Sequence, residues 1–316
     1  MTYTETPASR TYARGIEAAP AELIRARPDR AVTGFAPGGR VSTHLWGANP
    51  SVFRGHGMEY AESRAYQPGD APRMIDWRLT ARSGKTWTKL YHEERERPVF
   101  LLVDLRAPMQ FGTRRRFKAH LAAEIAAMLA WTGHDGGDRV GAMVMTRDGL
   151  VEIPPSRTRA ALVGLIHRLS EATYLGAPEG TEPGLARALK RLARVCRPGT
   201  LAFVISDFAD FGTEGTSAVD TELQRLSRRA HVTCIEIHDR MEAALPAHGG
   251  RFSDGTEVVD VAGLGKADRA RHAETFAARR DRLRTLSARL GMALHSLSTE
   301  DDASSILAPH ARRPAA

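Results

Sequence analysis

The sequence predicts an α/β fold: a doubly wound, mostly parallel sheet preceded by a small β-rich module. Three observations carry this. From Pro98 onward, apolar strands alternate with amphipathic helices, the rhythm of right-handed crossover units. Residues 99–104 and 201–206 are near-continuous apolar runs, the kind buried on both faces of a parallel sheet. The first run ends at Asp104 and the second is followed by Asp207, and ligands of open α/β sheets sit beyond such carboxyl ends.

Taken in order, residues 1–35 are polar and rich in Arg, Ala and Pro, with one helical candidate at 21–26. A loosely ordered N-terminal segment is expected there. Residues 36–56 hold Gly38, Gly39, Gly47 and Gly55 and read as loop at the start of a module over 36–97. Inside the module, 58–66 and 86–93 alternate like strands, and Pro68-Gly69-Asp70 and Ser83-Gly84 are turn signals. The main domain is expected over 98–308. After its first strand, 115–133 carries Phe117, Leu121, Ile125, Met128 and Leu129 at helical spacing. A strand at 138–146 turns through Asp148-Gly149 into 150–153, an antiparallel edge hairpin. Helices follow at 157–171 and 183–195, then the second buried strand. A helix at 217–230, a strand at 231–237, a hairpin at 252–261, a helix at 268–290 and a strand at 292–297 complete the pattern.

Bulk properties narrow the function classes. The 316 residues are 42% hydrophobic and 26% charged, an ordinary globular profile with room for one large core and an appendage. No apolar run approaches the ~20 residues that cross a bilayer, and the N-terminus lacks the apolar stretch of a secretory signal. No membrane insertion and a cytoplasmic location are expected. Cys196 and Cys234 have apolar neighbours and read as reduced packing residues. The net charge of +8 is spread evenly, with 15 basic against 11 acidic residues in 1–97 and 30 against 26 in 98–316. No basic tail or interleaved aromatics build a stacking platform, so no nucleic-acid partner is expected. Arg114, Arg115, Arg116 and Lys118 read as a solvated face at a helix start.

The candidate site lies at the strand tips. Asp104 and Asp207 end the two buried strands, and between them Thr181 opens a helix, where its hydroxyl either caps that helix or faces the same crevice. Two carboxylates and a hydroxyl in one crevice make a hard-cation site in principle. This layout resembles the von Willebrand factor A-type domains, in which an Asp-x-Ser-x-Ser motif, a Thr and a second Asp bind Mg²⁺ or Mn²⁺. The upstream block narrows the match: Arg64-x-Tyr66-x-Pro68-Gly69-Asp70, then Arg73-x-Ile75-Asp76-Trp77 and Ala81-Arg82. With Gly137-Asp138-Arg139-Val140-Gly141, Ser206-Asp207-Phe208, and Asp239, Glu242 and Leu245-Pro246, it is similar to the signature of the domain-of-unknown-function 58 family. The resemblance spans residues 50–300 and implies a von Willebrand factor A-like domain. It also implies a non-enzymatic adaptor that works with a MoxR-type AAA+ ATPase on a client protein.

One departure changes the expected site. Where the metal motif has its serines, this chain has Arg106 and Pro108. Proline offers no side-chain ligand, and a guanidinium ~4 Å from a cation costs on the order of 4 kcal/mol per unit charge at an effective dielectric near 20. No resident cofactor is therefore expected, Mg²⁺ included. A degenerate metal site is expected instead, with Arg106 paired to Asp104 and Asp207 in the cation's place.

For Arg64, Tyr66, Gly69, Asp70, Arg73, Asp76, Trp77 and Arg82 two readings stand. They form a partner-binding surface, or a structural knot in which Asp76 and Arg82 pair under Trp77. His120 and Glu124 share a helical face without a third ligand and read as a surface pair. Ser206 lacks a nucleophile elbow, and no phosphate loop is present. The rival functions are a metal-dependent hydrolase using Asp104, Asp207 and Asp70, and a nucleic-acid binder.

Overall fold

The computed structural model describes residues 10–28, 58–68, 70–93, 98–176, 180–213, 215–246, 250–253 and 258–307. The chain divides into two compact units, Pro50–Glu96 and the remainder, Met1–Asn49 with Arg97–Ala316.

Helix α1, Pro20–Arg25, belongs to the larger unit. Ala18 and Leu23 are fully buried in its core. The Ala18 amide donates to Thr173 Oγ1 at 3.0 Å, and its carbonyl accepts the Ser170 hydroxyl at 2.6 Å. Residues 10–28 are thus packed rather than loosely ordered, because two apolar side chains and buried hydrogen bonds anchor a segment whose composition is otherwise polar. The glycine-rich stretch 36–56 lies outside the described residues.

In the smaller unit, β1 (Met58–Ala65) precedes α2 (Trp77–Ser83) and β2 (Trp87–Glu93). The two strands pair antiparallel, with an irregularity between Tyr60 and Glu62. Helix α2 was not expected, since Ser83-Gly84 read as a turn. Its start is capped by Asp76, whose Oδ1 accepts from the Leu79 amide at 3.1 Å, and Gly84 closes it in the left-handed region at φ 69°. The turn signal is a helix stop. Trp87 ties the helix to the hairpin: its carbonyl accepts from the Asp76 amide at 2.8 Å, and its own amide donates to Thr80 Oγ1 at 3.0 Å.

The larger unit continues with β3 (Pro98–Asp104), α3 (Lys118–Asp135), β4 (Arg139–Met145), β5 (Leu150–Ser156) and α4 (Arg159–Ala172). Then follow α5 (Leu185–Val195), β6 (Thr200–Ser206), α6 (Ala218–Ser227), β7 (Ala230–His238) and the short α7 (Arg240–Ala243). An antiparallel pair, β8 (Arg251–Ser253) and β9 (Val258–Asp260), leads to α8 (Lys266–Leu290) and β10 (Ala293–Ser298). The six-stranded sheet runs β10-β7-β6-β3-β4-β5 and is parallel except for β5. This is the doubly wound, mostly parallel sheet that the alternation predicts.

Side-chain alternation feeds two cores. Val99, Leu101 and Val103 of β3 join α1, α3 and α4 on one face, while Phe100 and Leu102 join α5, α6 and α8 on the other. Gly141 is needed where β4 meets β5. A Cβ there would lie 2.8 Å from the Pro155 nitrogen and 2.9 Å from the Ile153 carbonyl oxygen, at the point where the register shifts. Helix α3 starts at Lys118, three residues later than its periodicity suggests: Phe117 is an extended N-cap at ψ 154°, its amide donating to the Gly15 carbonyl at 2.8 Å.

Candidate functional site

Central strands β3 and β6 are neighbours, and the chain leaves them in opposite directions, β3 toward β4 and β6 toward β7. Their carboxyl ends mark the switch point at which doubly wound sheets hold ligands. Asp104 and Asp207 reach it as two separate ion clusters, each built around a basic side chain of this chain.

In the first cluster, Arg106 grips Asp104 bidentately, Nε to Oδ1 at 2.9 Å and Nη2 to Oδ2 at 2.8 Å. Its outer edge reaches Asp210, Nη1 to Oδ2 at 3.1 Å and Nη2 to Oδ1 at 3.2 Å, and Nη1 also donates to the Pro183 carbonyl at 3.2 Å. All five guanidinium donors are used. Asp104 is 1% exposed and Arg106 5%. Burial works against the Arg106 charge, but Asp104 and Asp210 outweigh it and raise the guanidinium's pKa. Ser206 adds its hydroxyl to Asp104 Oδ2 at 2.7 Å and accepts the Phe208 amide at 3.0 Å. Phe208 holds φ 51°, the left-handed region that costs a non-glycine residue on the order of 1 kcal/mol. Asp210 also accepts the Leu185 amide at the start of α5, at 2.8 Å, a favourable place for a carboxylate.

In the second cluster, Lys118 Nζ donates to Asp207 Oδ2 at 2.7 Å and to Glu242 Oε1 at 2.6 Å, beneath the Phe111 ring at 6.0 Å. Lys118 is 1% exposed and Asp207 3%. Burial pushes Asp207 upward, yet the Lys118 charge outweighs it and holds the carboxyl below its ordinary range; Lys118 is raised in turn. Glu242 belongs to a capping box with Asp239. Asp239 accepts the Thr113 and Thr299 hydroxyls at 2.7 and 2.6 Å.

The family model described as "Protein of unknown function DUF58" matches residues 62–284. The chain belongs to the DUF58 family. An uncharacterized protein of Mycobacterium tuberculosis is 32% identical over 261 residues, 82% of this chain and 80% of the relative. Among solved structures, the conserved hypothetical protein BatB from Bacteroides thetaiotaomicron is similar at 14% identity and TM-score 0.41, over 66% of this chain and 93% of that one. The SpRpn10 VWA domain is similar at 14% identity and TM-score 0.36, over 67% and 94%. The DUF58 domain of this chain carries a mostly parallel sheet with an antiparallel edge strand.

The metal implied by the resemblance to von Willebrand factor A-type domains does not fit these residues. Both Asp104 oxygens are taken by Arg106 and Ser206, and those of Asp207 by Lys118 and the Ala209 amide. Pro108 supplies no ligand. Among the described residues, no group of three or more His, Cys, Asp or Glu is placed to hold a metal. A cavity of about 420 Å³ lies away from the tips, in the second halves of α5 and α6. Lys190, Arg194, Arg225, Arg228 and Arg229 line it, where cations complement helix C-termini.

Several expectations need correction. Arg106 pairs with Asp104 but takes Asp210, not Asp207, as its second carboxylate. The arginine's reach from β3 ends at the loop beside α5, and a lysine already holds Asp207. Thr181 is exposed and neither caps α5 nor joins the crevice: the N-cap is Gly184, and Asp210 takes the Leu185 amide. Arg116 and Lys118 are buried, leaving only Arg114 and Arg115 as a solvated face. His120 is 3% exposed and faces Glu22 at 3.2 Å, while Glu124 pairs with Arg116, so the two are no surface pair.

In the smaller unit, Arg64 holds Asp70 bidentately at 2.9 and 2.7 Å, and Asp70 also accepts the Gln67 amide and the Thr88 hydroxyl. Asp76 caps α2 and accepts the Ser63 hydroxyl at 3.1 Å. It does not pair with Arg82, which is exposed, and Trp77 is 67% exposed with Tyr66 at 37%. The knot therefore consists of Arg64, Asp70 and Asp76, while Trp77, Arg73 and Arg82 face solvent. Gly69 lies outside the described residues. Sequence reasoning missed Lys118, Asp210 and Glu242. The signals were present: an acidic residue three after Asp207, and the Asp239-x-x-Glu242 capping-box spacing.

Proposed function

We propose that this DUF58 protein is a non-enzymatic, cytoplasmic adaptor that works with a MoxR-type AAA+ ATPase in assembling or activating a client protein. The contact is made at the strand-tip face over Asp104, Arg106 and Asp207. The supporting observation is that each strand-tip aspartate is neutralised by a buried basic side chain of the same chain. A catalytic carboxylate must meet substrate, and an adhesion-type metal site must keep a coordination position open. Residues held this way do neither, and instead rigidify a face whose outer members are Glu182 and Asp210. The hydrolase reading also lacks its third carboxylate, since the Asp70 oxygens are used by Arg64, Gln67 and Thr88. Among the described residues, no helix is long and apolar enough to cross a membrane.

The test is affinity purification of the tagged full chain from its own cells under ATP-trapping conditions. An AAA+ ATPase enriched over an untagged control is expected, with enrichment reduced at least fivefold by Glu182→Lys with Asp210→Asn. Absence of any AAA+ enrichment removes the proposal.

A further inference from the structure

Helix α2 carries an exposed tryptophan on a face that has no structural use for it. At about 100° per residue, Trp77, Arg78, Ala81 and Arg82 fall on one arc, and all four are exposed. The opposite side holds the helix to its hairpin through Thr80 and the Asp76 cap. Trp77 is 67% exposed; an apolar side chain exposed singly is ordinary, and here it is the arginines on the same arc that make it informative.

The charges around it are equally unspent. The charged groups of Arg73, Arg78, Arg82 and Lys85 are exposed and make no ion pair or hydrogen bond with any described residue. The nearby acids are consumed internally, Asp70 by Arg64 and Asp76 by the α2 cap and Ser63. What remains is one aromatic anchor beside a small residue, with two arginines on the same arc that no described acid pairs, on a helix capped at both ends. Tryptophan and arginine on a preorganised element are the composition of a binding hot spot.

We infer that this face of α2 docks an acidic surface of a partner protein, whose aliphatic side chain packs against Trp77 over Ala81 while its carboxylates meet Arg73, Arg78 and Arg82. On the adaptor reading, on which this inference rests, that surface belongs to the AAA+ ATPase. A single-stranded nucleic acid is the lesser fit. It needs successive stacking platforms, and the next aromatic, Trp87, is half-buried with its indole N–H on Ser83 Oγ at 2.8 Å.

The test measures binding of the purified full chain to the purified MoxR-type ATPase of the same organism, loaded with a slowly hydrolysed ATP analogue, by biolayer interferometry at low and high salt. Trp77→Ala and Arg78→Glu with Arg82→Glu are each expected to weaken binding at least tenfold. Lys190→Glu with Arg194→Glu, on α5, is expected to leave it within twofold, and Trp77→Phe to retain most of it. Unchanged thermal unfolding separates these effects from misfolding, and affinity should fall with salt. Wild-type binding that survives both α2 variants overturns the inference and leaves the adaptor reading in place. No wild-type binding overturns both. Binding of a single-stranded oligonucleotide that is lost in Trp77→Ala, with the ATPase bound equally by all variants, replaces the acidic partner by a nucleic acid.

Discussion

Lys118 sits between Asp207 and Glu242 with almost no access to water, so its charge is stable only while both carboxylates are present. Removing one partner of such a set leaves an uncompensated buried charge, at about 3–5 kcal/mol. Lys118→Met should therefore cost about that much in a urea titration. The triple change Lys118→Met, Asp207→Asn, Glu242→Gln should cost less than half as much, because no bare charge remains. A triple variant no more stable than the single one contradicts this account. The same logic governs the lost metal site. Arg106→Ser with Pro108→Ser restores the two serines, yet Asp207 still holds Lys118. Calorimetry should detect no Mg²⁺ binding at millimolar metal until Lys118 is replaced by Ala as well.

At the scale of elements, α2 depends on its ends. Asp76 is its only side-chain cap, and Asp76→Ala should cost about 1 kcal/mol, read as a shift in the urea midpoint at unchanged slope. Gly141→Ala should cost more, about 1–3 kcal/mol, because the added methyl meets backbone atoms of Pro155 and Ile153 rather than flexible side-chain ends. An alanine variant as stable as the parent would show that β5 moves aside freely. The Gly141→Ala effect belongs to local geometry and should leave partner binding unchanged.

For the whole molecule, several groups bind protons more weakly folded than unfolded. Burial, with Arg280 beside it, lowers His238, and burial lowers His295. Burial raises Asp239, but hydrogen bonds from Thr299, Met241 and Thr113 outweigh it and hold the carboxyl low; Asp207 is held low by Lys118. A histidine depressed this way contributes stability above its unfolded value of ~6.5, lost as pH falls through it. A depressed carboxylate contributes stability above ~4 that is lost as pH falls further. The urea midpoint should decline between pH 7 and 5 and again below 4. His238→Gln with His295→Asn should flatten the first limb, and a flat wild-type profile from pH 7 to 5 contradicts the assignment. Cys196 and Cys234 take no part, since burial pushes both thiols up to about 12.

The alternation of apolar runs with helical spacing determined the α/β sheet, because burial on two faces imposes near-continuous apolar strands whatever the loops do. The aspartates at the ends of β3 and β6, and the rare clusters from Arg64 to Trp77, were likewise visible, and they carried the family. Helix α2 was hidden because Ser83-Gly84 signals a turn and a helix stop alike. Tertiary structure alone decided which cation meets which carboxylate. Lys118 and Asp207 are 89 positions apart, and Arg106 and Asp210 are 104 apart, so no local spacing relates them. Arg106 lies two positions after Asp104, and that pairing was legible. Its outer edge meets Asp210, while Asp207 is held by Lys118 at the start of α3.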